Sequence, residues 1–266
     1  MDRRRITGPE LSVAPYYKKE ELDNSIDFNK REDNRNFDQF RLPFIKTNLI
    51  PQAKGSCFIE SGNTKLICSV YGPRQQKKQL FSSSASLTCE LKYASFSKKT
   101  RQPHQPTEKQ KEVSKIIEQS LSPAIRLDRY PKSTIELFIT ILQNDGTMSC
   151  LANAITAASI ALTTAGIEMV DLVIGSSAVF QKDVMLIDGN FKEDDLISDS
   201  KMMLAVMPSL NLINHFIVEG LPLDLQLTRS GMHKCLDTCF QQYSLVTQVL
   251  TKGLKNKEKD ENEMED

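Results

Sequence analysis

Three stretches of this chain carry residues whose types and spacing could do chemistry. The first is the turn Asn144-Asp145-Gly146, followed by Thr147 and Met148 where a helix should start. Turn amides and the positive end of a helix favour an anion, so this segment could cradle phosphate. The second is an acidic run containing Asp188, Glu193, Asp194, Asp195 and Asp199. Paired carboxylates can hold a divalent cation and supply a general acid. The third is a helix start with Glu108, Lys109 and Lys111, where amides and lysines together could hold phosphate and Glu108 works against it. Each has a plainer reading: a piece of α/β core, a solvated loop, a solvated helix end. Cys235 and Cys239 share a helix face near His233, but no second ligand pair accompanies them, so neither a metal nor another cofactor is predicted.

The elements that must position these groups are legible from periodicity. Ile135, Leu137, Ile139 and Ile141 alternate with Glu136, Phe138, Thr140 and Leu142, which predicts a strand leading into the Asn144 turn. Beyond the turn the period becomes helical. Leu151, Ile155, Ala158 and Leu162 form an apolar stripe, and Ala152, Thr156, Ser159 and Thr163 form a flank without bulk that lets another backbone come close. Gly166 is placed to end that helix.

Upstream, KGSCFIE and TKLICSVYG alternate around Ser61-Gly62-Asn63-Thr64, a hairpin signal. A third strand is expected from about 86 to 96. Thr107 and Gln110 make a capping box for a helix burying Val113, Ile116, Ile117, Ser120 and Leu121. Downstream, 169–180, 202–207 and 212–218 read as strands. Thr228 is expected to cap a long helix bearing Met232, Cys235, Leu236, Cys239, Tyr243, Val246 and Leu250.

Residues 1–42 are polar, with little periodicity, and read as a flexible arm that includes Arg3, Arg4 and Arg5. Residues 43–254 form one α/β or α+β domain, and 255–266 read as a charged, disordered tail. Lys+Arg and Asp+Glu are both 34 among 266 residues, so any nucleic-acid contact must come from local basic patches. The six cysteines lie within apolar runs, the usage of reduced intracellular thiols. No apolar run approaches the roughly 20 residues of a membrane span, and the arginines of MDRRRITGPE are not followed by the apolar core of a secretory signal, so no membrane partner is expected. A nucleotide-binding enzyme of another kind would rest on the Gly146 turn alone, without a G-x-G-x-x-G or Walker sequence.

The order EVSKIIEQSL, RYPKSTIELFITILQNDGT, a small-residue helix ending TTAGIEMVD, an acidic loop and AVMPSLN resembles the RNase PH family over roughly 44–250. DRRRITGP, the YGPR of Tyr71 to Arg74 and RYPKS are similar to its eukaryotic exosome-ring branch. The resemblance implies a single RNase PH-like domain with a mixed sheet and packed helices, and a six-subunit ring around an RNA channel. The implied partners are other RNase PH-like subunits, RNA-binding cap subunits, a separate hydrolytic exoribonuclease and RNA itself, in nucleus, nucleolus and cytoplasm.

Active family members bind phosphate with a Gly-Thr/Ser-Arg turn and arginines at a neighbouring helix start, and use two aspartates six residues apart. Here Gly146 and Thr147 match the turn, but Met148 stands at the arginine and Glu108 and Lys109 at the paired arginines. Methionine cannot hold a dianion. Asp195 matches the first aspartate, and six residues on is Lys201; with a loop two residues shorter, Asp199 takes that place. The resemblance therefore implies a catalytically dead subunit, the alternative being an active phosphate-dependent 3′–5′ exoribonuclease. It also implies RNA contacts from Arg74, Lys77 and Lys78 on the channel loop, and from Lys98, Lys99 and Arg101.

Overall fold

The computed structural model describes residues 31, 33–75, 82–98, 101–103, 105–181, 184–221 and 224–265, with backbone alone for 195–197 and 256–265. The chain divides into two units, 1–36 and 37–266. In the first, Arg31 Nη1 donates to the Asn36 carbonyl at 3.3 Å. The predicted RNA contacts Lys77, Lys78 and Lys99, and the basic cluster at Arg3, lie outside the described residues.

The second unit holds two sheets. One is mixed, ordered β1 (Phe44–Thr47), β2 (Gly55–Ser61), β3 (Thr64–Gln75), β5 (Ser133–Gln143) and β4 (Ser86–Tyr93). Among the described strands of this sheet only β4 and β5 run parallel. The other is antiparallel, ordered β7 (Val184–Ile187), β6 (Ile174–Gln181), β8 (Ser200–Met207) and β9 (Leu212–Gly220). The β2–β3 hairpin closes with Ser61 opposite Thr64, and Gly62 takes φ +58° there. The capping box of α1 (Glu108–Leu121) forms as expected, between Thr107 and Gln110. α1 packs on β4 and β9.

The helix α2 (Thr147–Thr164) lies between the sheets, against β2 and β3 on one side and β6 and β8 on the other. It is long and apolar enough to cross a membrane by length and composition, but a helix apolar on every side is also what a two-sheet core requires. Its small flank has the expected use on both sides. A Cβ on Gly55 of β2 would lie 2.3 Å from the Ala161 carbonyl oxygen, and one on Gly175 of β6 would lie 2.5 Å from that of Ala152. Ser159 and Thr156 accept hydrogen bonds from the Val173 and Gly175 amides at 2.9 and 3.0 Å, which ties α2 to β6.

Three features differ from expectation. α3 (Leu225–Glu265) starts before Thr228, whose hydroxyl and amide donate back to the Asp224 carbonyl, so Thr228 is not the cap. The same helix continues through the stretch that composition reads as a disordered tail. Packed structure also reaches into the expected arm, since Phe40 and Arg41 are buried.

Candidate functional site

The turn between β5 and α2 is built around a glycine that no other residue can replace without strain. Gly146, the residue before the helix, has φ +110°, and a Cβ there would sit 2.7 Å from the Gly189 carbonyl oxygen. The turn therefore lies directly against the acidic segment. Behind it stands a buried ionic network. Arg41 donates from its backbone amide and Nε to Asp188 Oδ2 at 2.8 and 2.9 Å, and from Nη2 to Asp188 Oδ1 at 2.7 Å. Its Nη1 reaches Asp145 Oδ2 at 3.1 Å, and Nη2 also donates to Ser149 Oγ at 2.7 Å. Ser149 in turn donates to Asp188 Oδ1 at 2.6 Å, and Asp145 Oδ1 accepts the Phe191 amide at 2.9 Å. Burial works against the Asp188 carboxylate, but hydrogen bonds and charge from Arg41, with help from Ser149, bring its pKa down to about 2. Asp188 is thus a structural carboxylate that fixes the turn, not an open metal ligand.

The acidic segment next makes a widened helical turn, Lys192–Ile197. This turn brings Asp194, 1% exposed, onto the N-terminus of α2. Asp194 Oδ2 accepts hydrogen bonds from the Thr147 amide and, at 3.1 Å, from the Met148 amide. Its Oδ1 pairs with Lys201 Nζ at 3.0 Å. The two helix-start amides, which an external anion would use, are held by a carboxylate of the chain itself. Met148 is buried, with its side chain in the core. Burial pushes the Cys150 thiol, one turn further on, up to about 12, with Lys98 and Arg41 pulling it down and Asp194 pushing it up.

Of the residues singled out from sequence, Gly146, Thr147, Met148 and Lys201 come together here. For Asp195 the described part is backbone, in the same widened turn. Glu108 and Lys109 are exposed at the start of α1 and, among the described residues, make no hydrogen bond or ion pair with the turn. The carboxylate that meets the α2 amides is Asp194, not Glu108. Arg74 is exposed, its guanidinium 5.1 Å from the centre of the Tyr71 ring. Lys98 Nζ lies 4.8 Å from the centre of the Tyr93 ring. Arg101 is exposed and shares a cleft of about 750 Å³ with Lys92, Tyr93, Gln110 and Thr140. Among the described residues no group of three or more His, Cys, Asp or Glu could hold a metal ion. Cys235 and Cys239 are buried, and Cys239 Sγ faces Ser176 Oγ at 3.3 Å.

Sequence reasoning missed Arg41 and Ser149, and named Asp194 only as one of the acidic run. The available cue to Arg41 was its place between Phe40 and Leu42 in a segment otherwise polar.

A profile of the 3′ exoribonuclease family, domain 1 (RNase PH), matches residues 39–168. The exosome complex component mtr3 of Schizosaccharomyces pombe is 41% identical over 179 residues, 67% of this chain and 67% of that protein. The exosome complex component MTR3 of Homo sapiens is 30% identical across 96% of this chain and 97% of that protein. A chain of the Archaeoglobus fulgidus exosome, solved with RNA bound to the active site, superposes with a TM-score of 0.71 at 20% identity, covering 80% of this chain and 91% of its own. The two-sheet fold around a buried helix is that of this class, and the chain belongs to the RNase PH family of 3′ exoribonuclease-type proteins.

Proposed function

We propose that this chain is a non-catalytic subunit of an RNA exosome ring, related to the MTR3-type components, and that it helps form the channel through which RNA reaches a separate nuclease. The observation that carries the reading is the Asp194 carboxylate on the Thr147 and Met148 amides. In active family members that turn holds inorganic phosphate, and phosphorolysis needs phosphate as the attacking group. Here the place is filled by a fixed anion, itself paired with Lys201, and Met148 offers no guanidinium. A second anion brought to these amides would meet a buried like charge in a low-dielectric site.

The partners that fit are other RNase PH-like subunits, RNA-binding cap subunits, a hydrolytic exoribonuclease and RNA bound without sequence preference. Arg74, exposed at the end of β3, fits contact with the RNA backbone, with Lys77, Lys78, Lys98, Lys99 and Arg101 as further basic residues. The unit from 37 onward would form the ring body. An exosome role fits work in the nucleus, with the nucleolus and cytoplasm as further compartments.

Assembly tests this directly. Mixed with the other ring subunits, the chain should enter a single hetero-oligomer by native mass spectrometry. That assembly should shield a length of RNA from an added nuclease. Arg74→Glu with Lys77→Glu should leave the mass unchanged and reduce the shielding. A chain that stays monomeric in the complete mixture would sink the ring assignment.

A further inference from the structure

The sheet of β6 to β9 has one face against α2 and the other against α3, and the second face can be traced residue by residue. A Cβ on Gly231 of α3 would lie 3.0 Å from the Met202 side chain, and Ser176 Oγ, opposite Leu204, donates to the Cys235 carbonyl at 3.1 Å. Met202, Leu204 and Val206 of β8 therefore look towards α3, and all three are fully buried. Their partners on β9, on the same face, are Val218, Phe216 and Ile213. These are 40%, 40% and 44% exposed. α3 packs on β6, β7 and β8, and its cover stops one strand short. An apolar stripe is left in solvent beside the helix.

Leu221, directly after β9, and Leu225, at the start of α3 and 81% exposed, add to this surface, as does Leu212. With about 200 Å² for a fully exposed large side chain, the six residues leave roughly 600 Å² to solvent. That matches the largest patch on a typical monomer, about 300–600 Å², and is most of the ~800 Å² per partner in a standard stable interface. From Leu210 to Val218 no side chain carries a fixed charge. β9 is the edge of its sheet, and it contains no lysine or proline to guard that edge. A surface without charge does not select its partner by charge. A twofold contact lays such a surface on itself, and no like charges meet. We propose that the free chain covers this surface with a second copy of itself, as a twofold dimer centred near Phe216. The inference goes beyond the ring assignment, which concerns the chain among other subunits, and does not depend on RNA.

Sedimentation velocity of the full chain alone, over a micromolar concentration series, tests this and should show a concentration-dependent dimer. Phe216→Glu should weaken the dimer at least about thirtyfold, the effect of losing a central hot-spot residue. Leu225→Glu, at a position already in solvent, keeps the fold even if Phe216→Glu does not, and should also shift the series towards monomer. Phe216→Cys should cross-link to its own copy with a short bismaleimide, and the parent chain should not. A monomer at every concentration would overturn the proposal and leave the stripe to another subunit. So would a dimer that neither charge variant weakens, or that Phe216→Cys fails to cross-link, since the contact would then lie elsewhere. Adding the other ring subunits separates the two readings. A chain that dimerises alone and never enters the ring keeps this inference and sinks the ring assignment. One that enters the ring and is monomeric alone does the reverse.

Discussion

Asp194→Ala removes the anion that α2 carries at its own N-terminus, and its cost can be worked from the contacts. Two backbone amides lose a charged acceptor, and Lys201 loses one ion pair. Hydrogen bonds to charged groups contribute roughly 1.5–3 kcal/mol each. Replacing an ordinary N-cap by alanine costs about 0.5–2 kcal/mol, because water takes over part of the bonding. Asp194 is 1% exposed and the Lys201 side chain 20%, so water has poor access and the loss exceeds that of an ordinary cap; two bonds at the low end of the charged range give about 3 kcal/mol. Urea denaturation of the full chain reads this as a midpoint lowered by about 1 M, if the slope is near 3 kcal/mol/M and unchanged. The variant also uncovers two amides and a lysine facing one point. Inorganic phosphate at ten times its dissociation constant should then return about 1.4 kcal/mol to the variant and nothing to the parent chain. A loss below about 0.5 kcal/mol, the size of an ordinary surface substitution, would refute the reasoning. So would equal stabilisation of both proteins by phosphate.

Acid should unfold the protein in a window set by Asp188. Its folded pKa is about 2 against an ordinary 3.8, so the carboxylate stabilises the fold fully above the ordinary value and loses that contribution as pH falls from about 4 to about 2. The amount is about 2 kcal/mol, and Asp188→Asn should flatten the stability curve across that window. Gly146→Ala should cost at least about 2 kcal/mol by denaturation, since it combines a positive φ with a 2.7 Å approach to the Gly189 carbonyl oxygen. Burial pushes the thiols of Cys57, Cys150, Cys235 and Cys239 up to about 12, so a thiol reagent at pH 8 should modify none of them until the chain unfolds.

The parts of this fold that local chemistry dictates could be read in advance. The alternation from Ile135, the Asn144 turn and the small-residue helix gave β5, its turn and α2. Thr107 and Gln110 gave the start of α1, and Gly62 the β2–β3 hairpin. Pairing between distant residues could not be read. Arg41 and Asp188 are 147 positions apart, and nothing local to either marks the bond. Which carboxylate of the acidic run meets α2 could not be read either. The widened turn at Lys192–Ile197 shifts which carboxylate meets the helix, and a spacing rule taken from an ordinary loop does not include that shift. Glu108 looked opposed to phosphate because Lys109 and Lys111 suggested a second anion site, whereas the structure leaves all three in solvent.

The central claim is that the chain forms part of an RNA channel while its own anion site is closed. The most direct test follows RNA by the ring assembled from purified subunits, without the hydrolytic nuclease, with magnesium and with inorganic phosphate present or absent. The account predicts no release of nucleoside diphosphates attributable to this chain, and no change in that result with Asp195→Ala. Phosphate-dependent release that requires this chain and vanishes on Asp195→Ala would contradict it.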